Sequence, residues 1–140
     1  MSASRAQDWL SRGEYFEWDP GDGAAPVRVF HIEAGAADAP PLLLVHGFPT
    51  SSIDWYDVAG PLSAEHRVCV LDLPGFGFSD KPKDESYTVS RDAELLEHYL
   101  LEVVGATRGA VVAHDRGDSV ALAFAAVSYT HLTLPTNREV

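Results

Sequence analysis

The sequence predicts an α/β fold: a β-hairpin leading into parallel strands, with helices on both faces of the sheet. Three observations carry this. The short apolar runs Leu42 to Val45, Val68 to Leu71 and Ala110 to Ala113 read as strands buried on both faces. Stretches with helical spacing separate those runs. Turn-rich segments follow the runs directly, where a parallel sheet places its connections.

Each element has its own signal. Glu14 to Trp18 is short and aromatic-rich, Asp19 to Gly23 is a turn cluster, and Val27 to Ile32 alternates bulky apolar with polar positions. Together they predict an antiparallel hairpin with a long loop. After Leu42 to Val45, Ser51 or Ser52 is placed to cap a short helix through Ile53 to Val58, which Pro61 should end. Val68 to Leu71 is the next buried strand. Thr88 to Val104 has a helical pattern in which Leu96, Leu100 and Val103 share a face, with Leu95 and Tyr99 beside them. Asp92 and Glu94 suit its first turn and Gly105 its C′ position. Ala110 to Ala113 is expected as a further buried strand, and Ser119 to Val127, apolar all round, as a buried helix. No internal repeat is present.

Composition narrows the function. The chain has 140 residues, 46% hydrophobic and 22% charged, which suits one globular domain. A formal net charge of −11 disfavours nucleic acid or an anionic membrane surface as partner. The single cysteine, Cys69, lies within a strand run, which excludes an internal disulfide and reads as a core residue. Met1 to Gly13 has no apolar stretch of a secretory signal, and no window approaches a membrane span. The cytoplasm is the expected compartment, and a small molecule the expected partner.

Residues 128–140 break the pattern with no cap and no matching strand. They resemble the translated read-through of a transposase sequencing adapter. The expected organisation is therefore 1–127 as the N-terminal portion of a core domain without a cap, and 128–140 as a non-native tail.

Three segments can carry chemistry. Ala113-His114-Asp115-Arg116-Gly117 stands between a strand and a helix, with small residues two before and two after the central Asp115. That is the pattern of a nucleophile elbow, with Asp where Ser is commoner. An aspartate is ionised at neutral pH, needs no base to become nucleophilic, and suits attack at a saturated carbon. The plainer reading is Asp115 as an ordinary helix N-cap.

The second segment, His46-Gly47-Phe48-Pro49, follows the strand expected beside that of Asp115. Its backbone N–H at Phe48, with that of Arg116, is placed to form an oxyanion hole. His46, Gly47, Pro49 and His114 are the expected walls of a substrate pocket; His46 reads as structural or as a wall rather than as the catalytic base. The third segment, Asp72 to Asp80, contains Gly75-Phe76-Gly77 but lacks the third glycine and the Lys-Ser/Thr of a phosphate loop. It reads as a rigid loop that Asp72 holds by hydrogen bonding. His31, His66 and His98 are scattered and read as surface or core residues. Nothing has the Cys/His spacing of a metal site.

The motifs His46 to Ser52, Asp72 to Pro82 and His114 to Ser119 resemble those of the α/β-hydrolase fold, over about Glu14 to Val127. More narrowly they resemble its haloalkane dehalogenase and epoxide hydrolase branch, and within it the mesoderm-specific transcript protein group. The resemblance implies the N-terminal part of an α/β-hydrolase in which Asp115 attacks a carbon bearing a halide or an epoxide oxygen. A later His, oriented by an acid, would activate water against the resulting ester, with no cofactor. Arg116 stands where many relatives carry a Trp that helps to hold the halide. Relatives that act on fluorinated acids have Arg there, with a further Arg near the position of Ser119.

Only 25 residues follow Asp115, and their one histidine, His131, lies in the expected tail. The expected function is thus that of a fragment of an Asp-nucleophile hydrolase of epoxide hydrolase type, without turnover of its own. Haloalkane dehalogenase, ester hydrolase and a non-catalytic binding member of the family stay open beside it.

Overall fold

In the computed structural model, residues 3–21, 23–83 and 87–128 are described. The hairpin forms as expected: β1 (Glu14–Trp18) pairs antiparallel with β2 (Val27–Ala34), from Glu14 opposite His31 to Trp18 opposite Val27. β3 (Pro41–Val45), β4 (Arg67–Leu71) and β5 (Ala110–Ala113) fall on the three apolar runs. The sheet order is β1-β2-β4-β3-β5. β3 pairs parallel with both β4 and β5, and β2 runs antiparallel to β4.

That order contains a reversal. From β3 the chain crosses to β4 on one side, then returns past β3 to β5 on the other. Crossovers in opposite directions place their helices on opposite faces. α2 (Tyr56–Leu62) accordingly packs on one face with α1 (Arg5–Ser11), over Phe30, Ile32, Leu42, Leu44, Val68 and Val70. α3 (Val89–His98) and α4 (Arg116–Ser128) cover the other, over Val29, Leu43, Val45, Cys69 and Leu71. Alternate residues of β3 thus enter different cores, as the two-residue period of a strand requires.

Several local details differ from expectation for identifiable reasons. α1 is an additional element, begun by a capping box between Ser4 and Gln7 and docked through the buried Trp9. Ser51 holds the N-cap position of a 3-10 turn at Ser52–Trp55 without a side-chain bond; Ser52 Oγ instead accepts from Trp9 Nε1 at 2.9 Å. Pro61 lies inside α2, which ends one residue later.

The helix expected over Thr88 to Val104 is α3, capped by Thr88, followed by a π-helical turn at Tyr99–Val104 and left-handed Gly105 at φ 74°. The wider turn shifts the phase, so Val104 is buried and Val103 only partly. β5 is less buried than its apolar sequence predicts, because it is the edge of the sheet. α4 buries Val120 and Phe124 but exposes Leu122, so it is covered on one side only among the described residues. Of the expected tail, Ser128 closes α4, and 129–140 lie outside the described residues.

Candidate active site

The reversal in strand order brings the carboxyl ends of β3 and β5 side by side, the place where open α/β sheets form their clefts. His46-Gly47-Phe48-Pro49 leaves β3 there, and His114-Asp115 leaves β5. The His114 N–H bonds the Val45 carbonyl at 3.1 Å, carrying the strand pairing to the edge of the turn.

Asp115 has φ 56°, the only positive φ of a non-glycine among the described residues. An N-cap residue sits in the extended region, so the N-cap reading of Asp115 does not describe this backbone. The left-handed conformation turns the chain from β5 directly into α4, and the Asp118 N–H closes on the Asp115 carbonyl at 3.0 Å. Such a turn holds a residue in sparsely populated space at a cost of about 1–3 kcal/mol, which persists only where surroundings enforce it.

Two glycines provide that enforcement. A Cβ at Gly117 would lie 2.4 Å from the His46 carbonyl oxygen and 2.6 Å from that of Val45. A Cβ at Gly47 would lie 2.5 Å from Asp115 Cβ. Both approaches are closed to any larger residue.

The Asp115 side chain projects into solvent and accepts from the backbone. Phe48 N–H donates to Oδ2 at 3.0 Å. That bond, and the neighbouring Arg116 N–H, hold the carboxyl below the ordinary carboxylate range. Phe48 and Arg116 also line a recess of about 430 Å³ with Gly75, Phe76, Lys81 and Tyr87. On the other side of Phe48, which is 65% exposed, a recess of about 570 Å³ is lined by Thr50, Asp54, Trp55, Ala113 and His114.

The expected pocket residues are distributed unevenly around this centre. His114 is exposed and lines the second recess, and Pro49 is exposed beside Phe48. Gly47 is buried against Asp115. His46 is fully buried beneath the site and lines neither recess. Its Nε2 accepts from the Leu73 N–H at 3.0 Å, and its Nδ1 lies 2.9 Å from the Gly47 carbonyl oxygen. Burial holds the ring below the ordinary histidine range, so it is neutral near pH 7.

Asp72 does hold its loop. Its Oδ1 accepts from Ser52 N–H at 2.7 Å, its Oδ2 from Phe78 N–H at 2.8 Å, and its carbonyl from Ser79 Oγ at 2.7 Å. Sequence reasoning missed Asp92. Expected only as a first-turn acid, it is buried and paired with Arg116 at 2.9 Å, which turns the guanidinium toward α3. Burial raises the Asp92 carboxyl, and Arg116 offsets part of that rise. Phe76 and Tyr87 were also missed, since nothing local marks an aromatic as a pocket wall. Among the described residues, no group of three or more His, Cys, Asp or Glu could hold a metal ion, and no helix is long and apolar enough to cross a membrane.

The model of the alpha/beta hydrolase fold matches residues 40–132. The chain belongs to this family. Among curated α/β-hydrolase relatives, it is 38% identical over 117 residues to the mesoderm-specific transcript homolog protein of Bos taurus, covering 81% of this chain and 33% of that protein. It is 35% identical over 125 residues to a haloalkane dehalogenase of Mycobacterium marinum, covering 80% of this chain and 41% of that protein. A solved structure of a putative epoxide hydrolase from Pseudomonas aeruginosa superposes with a TM-score of 0.65 at 30% identity, over 88% of this chain and 39% of that one. This α/β-hydrolase chain therefore spans 33% to 41% of the length of these relatives.

Proposed function

We propose that the segment is the nucleophile-bearing part of a hydrolase that forms an alkyl ester on Asp115, of epoxide hydrolase type. The observation that carries this is the solvent-facing Asp115 carboxylate at φ 56°, with the Phe48 N–H on one of its oxygens. In this reading the carboxylate attacks an epoxide carbon. The carbon–oxygen bond breaks, and the ring oxygen takes up a proton from water. The oxygen held by Phe48 becomes the ester carbonyl, then the oxyanion when water adds, with the Arg116 N–H as its second donor in this reading. The resemblance places the water-activating His and its acid after Asp115 in the relatives, so the 140-residue chain alone is expected to show no turnover.

A haloalkane reading is weaker here. It calls for a donor to hold the departing halide, and the residue after Asp115 is an arginine committed to Asp92. An ester hydrolase with another nucleophile finds no Ser or Cys in the turn.

The test is single turnover in labelled water, using a protein that carries this segment together with the remaining length of its relatives. Label entering the Asp115 carboxylate is expected, and Asp115→Asn should abolish ester formation. Label found only in the product would overturn the reading.

A further inference from the structure

The Phe48 N–H can serve Asp115 only if the Gly47–Phe48 peptide is held in one orientation. A peptide unit is planar, and its C=O and N–H point in opposite directions. Whatever fixes the Gly47 carbonyl therefore aims the Phe48 N–H. That carbonyl has three neighbouring donors: His46 Nδ1 at 2.9 Å, the Thr50 N–H at 3.2 Å and Thr50 Oγ1 at 3.3 Å.

His46 makes the shortest of these contacts, and it can donate only in one tautomer. A neutral imidazole carries one N–H and one bare nitrogen. The Leu73 N–H, two residues beyond β4 in the Asp72 loop, points at Nε2 from 3.0 Å and requires Nε2 to be bare. The proton is thereby placed on Nδ1, facing Gly47. Full burial of the ring removes water as a competing partner.

We infer that His46 is a positioning residue: the backbone of the loop after β4 sets its Nδ1–H tautomer, and that proton locks the Gly47–Phe48 peptide with its N–H on Asp115. The inference rests on the proposed use of the Phe48 N–H as a stabilising donor. It adds a physical link from the Asp72 loop to the reacting carboxylate, through Leu73, His46 and Gly47.

The two hydrogen bonds of His46 can be separated. His46→Asn keeps a donor close to the Nδ1 position and loses the acceptor for Leu73. His46→Gln keeps a group near Nε2 and loses the donor to Gly47. The readout is the Phe48 amide proton in NMR spectra of this chain, compared with and without Asp115→Asn, which removes the anionic acceptor.

In the unaltered background, and with His46→Asn, Asp115→Asn should displace the Phe48 signal upfield. With His46→Gln, most of that displacement should be lost while the Gly117 amide stays unmoved. A role confined to core packing would not separate the two variants. An equal displacement with His46→Gln would overturn the inference, because Thr50 alone would then suffice. Should His46→Gln fail to fold, long-range nitrogen–proton correlation of the unaltered His46 ring decides. A bare Nε2 with protonated Nδ1 supports the inference, and a protonated Nε2 overturns it. None of these readouts depends on turnover, so they can fail while labelled water still enters Asp115, and the reverse.

Discussion

Gly47 and Asp115, distant in sequence, approach so closely that a methyl group on one would lie 2.5 Å from the Cβ of the other. Substituting either glycine of this turn region should therefore strain backbone that cannot yield. Gly117→Ala and Gly47→Ala are each expected to lose about 1–3 kcal/mol, the usual range for overpacking. Gly60→Ala is the control, because nothing lies within 4 Å of its added Cβ on the exposed side of α2. It should be neutral or slightly stabilising. Urea midpoints of the three variants check this.

Arg116→Met should leave the Asp92 carboxylate buried without its partner. Breaking such a pair costs roughly 3–5 kcal/mol. The loss should depend on pH with a definite sign. Burial already raises the Asp92 carboxyl, and removing Arg116 raises it further. A raised carboxyl contributes stability that is fully present below its unfolded value near 3.9 and is lost as pH rises through the folded value. The variant should thus weaken relative to the parent chain as pH rises from about 4 to 7, which denaturation at the two pH values would show.

The fold and the turn around Asp115 were legible because their signals are local. Apolar runs marked β3, β4 and β5, and a small-residue frame marked Asp115. Asp92 was not legible. Its partner lies 24 positions away, and only the packing of α3 against α4 brings the two together. The exposure of β5 was misjudged for a related reason, since an apolar strand reads the same whether or not a neighbour covers its edge. His46 was placed at the site by its motif, yet its buried bonds with Leu73 and Gly47 depend on tertiary contacts.

His31 and Tyr99 form a buried polar pair, Nδ1 to hydroxyl, at 3.2 Å. His31→Leu should orphan the Tyr99 hydroxyl and cost about 1–3 kcal/mol. Adding Tyr99→Phe should recover part of that loss, a non-additivity that a double-mutant cycle measures. Burial also lowers the His31 pKa. The unfolded chain then takes up protons first, so stability is full above about pH 6.5 and falls as pH drops below it. His31→Leu should reduce that acid sensitivity.

Cys69 should be inert in the native protein. It is fully buried in β4, and desolvation pushes its thiol up to about 12. Alkylation at pH 8 should therefore proceed at the rate at which the chain opens, and should become rapid in denaturant. Fast labelling of the native chain would contradict the burial of β4.

The position of β3 between β4 and β5 makes the Asp115 environment depend on a long-range pairing. The β3–β4 pair can form while the Asp115 turn is still remote. Only when β5 docks along β3 do Phe48 and Asp115 meet, and that pairing spans 67 positions of chain. The entropy of such a closure is lost before the contact it allows can offset it, which slows folding. A molecule in which β5 is not docked presents Asp115 as an ordinary surface carboxylate, because the Phe48 N–H reaches it only through the β3–β5 pairing.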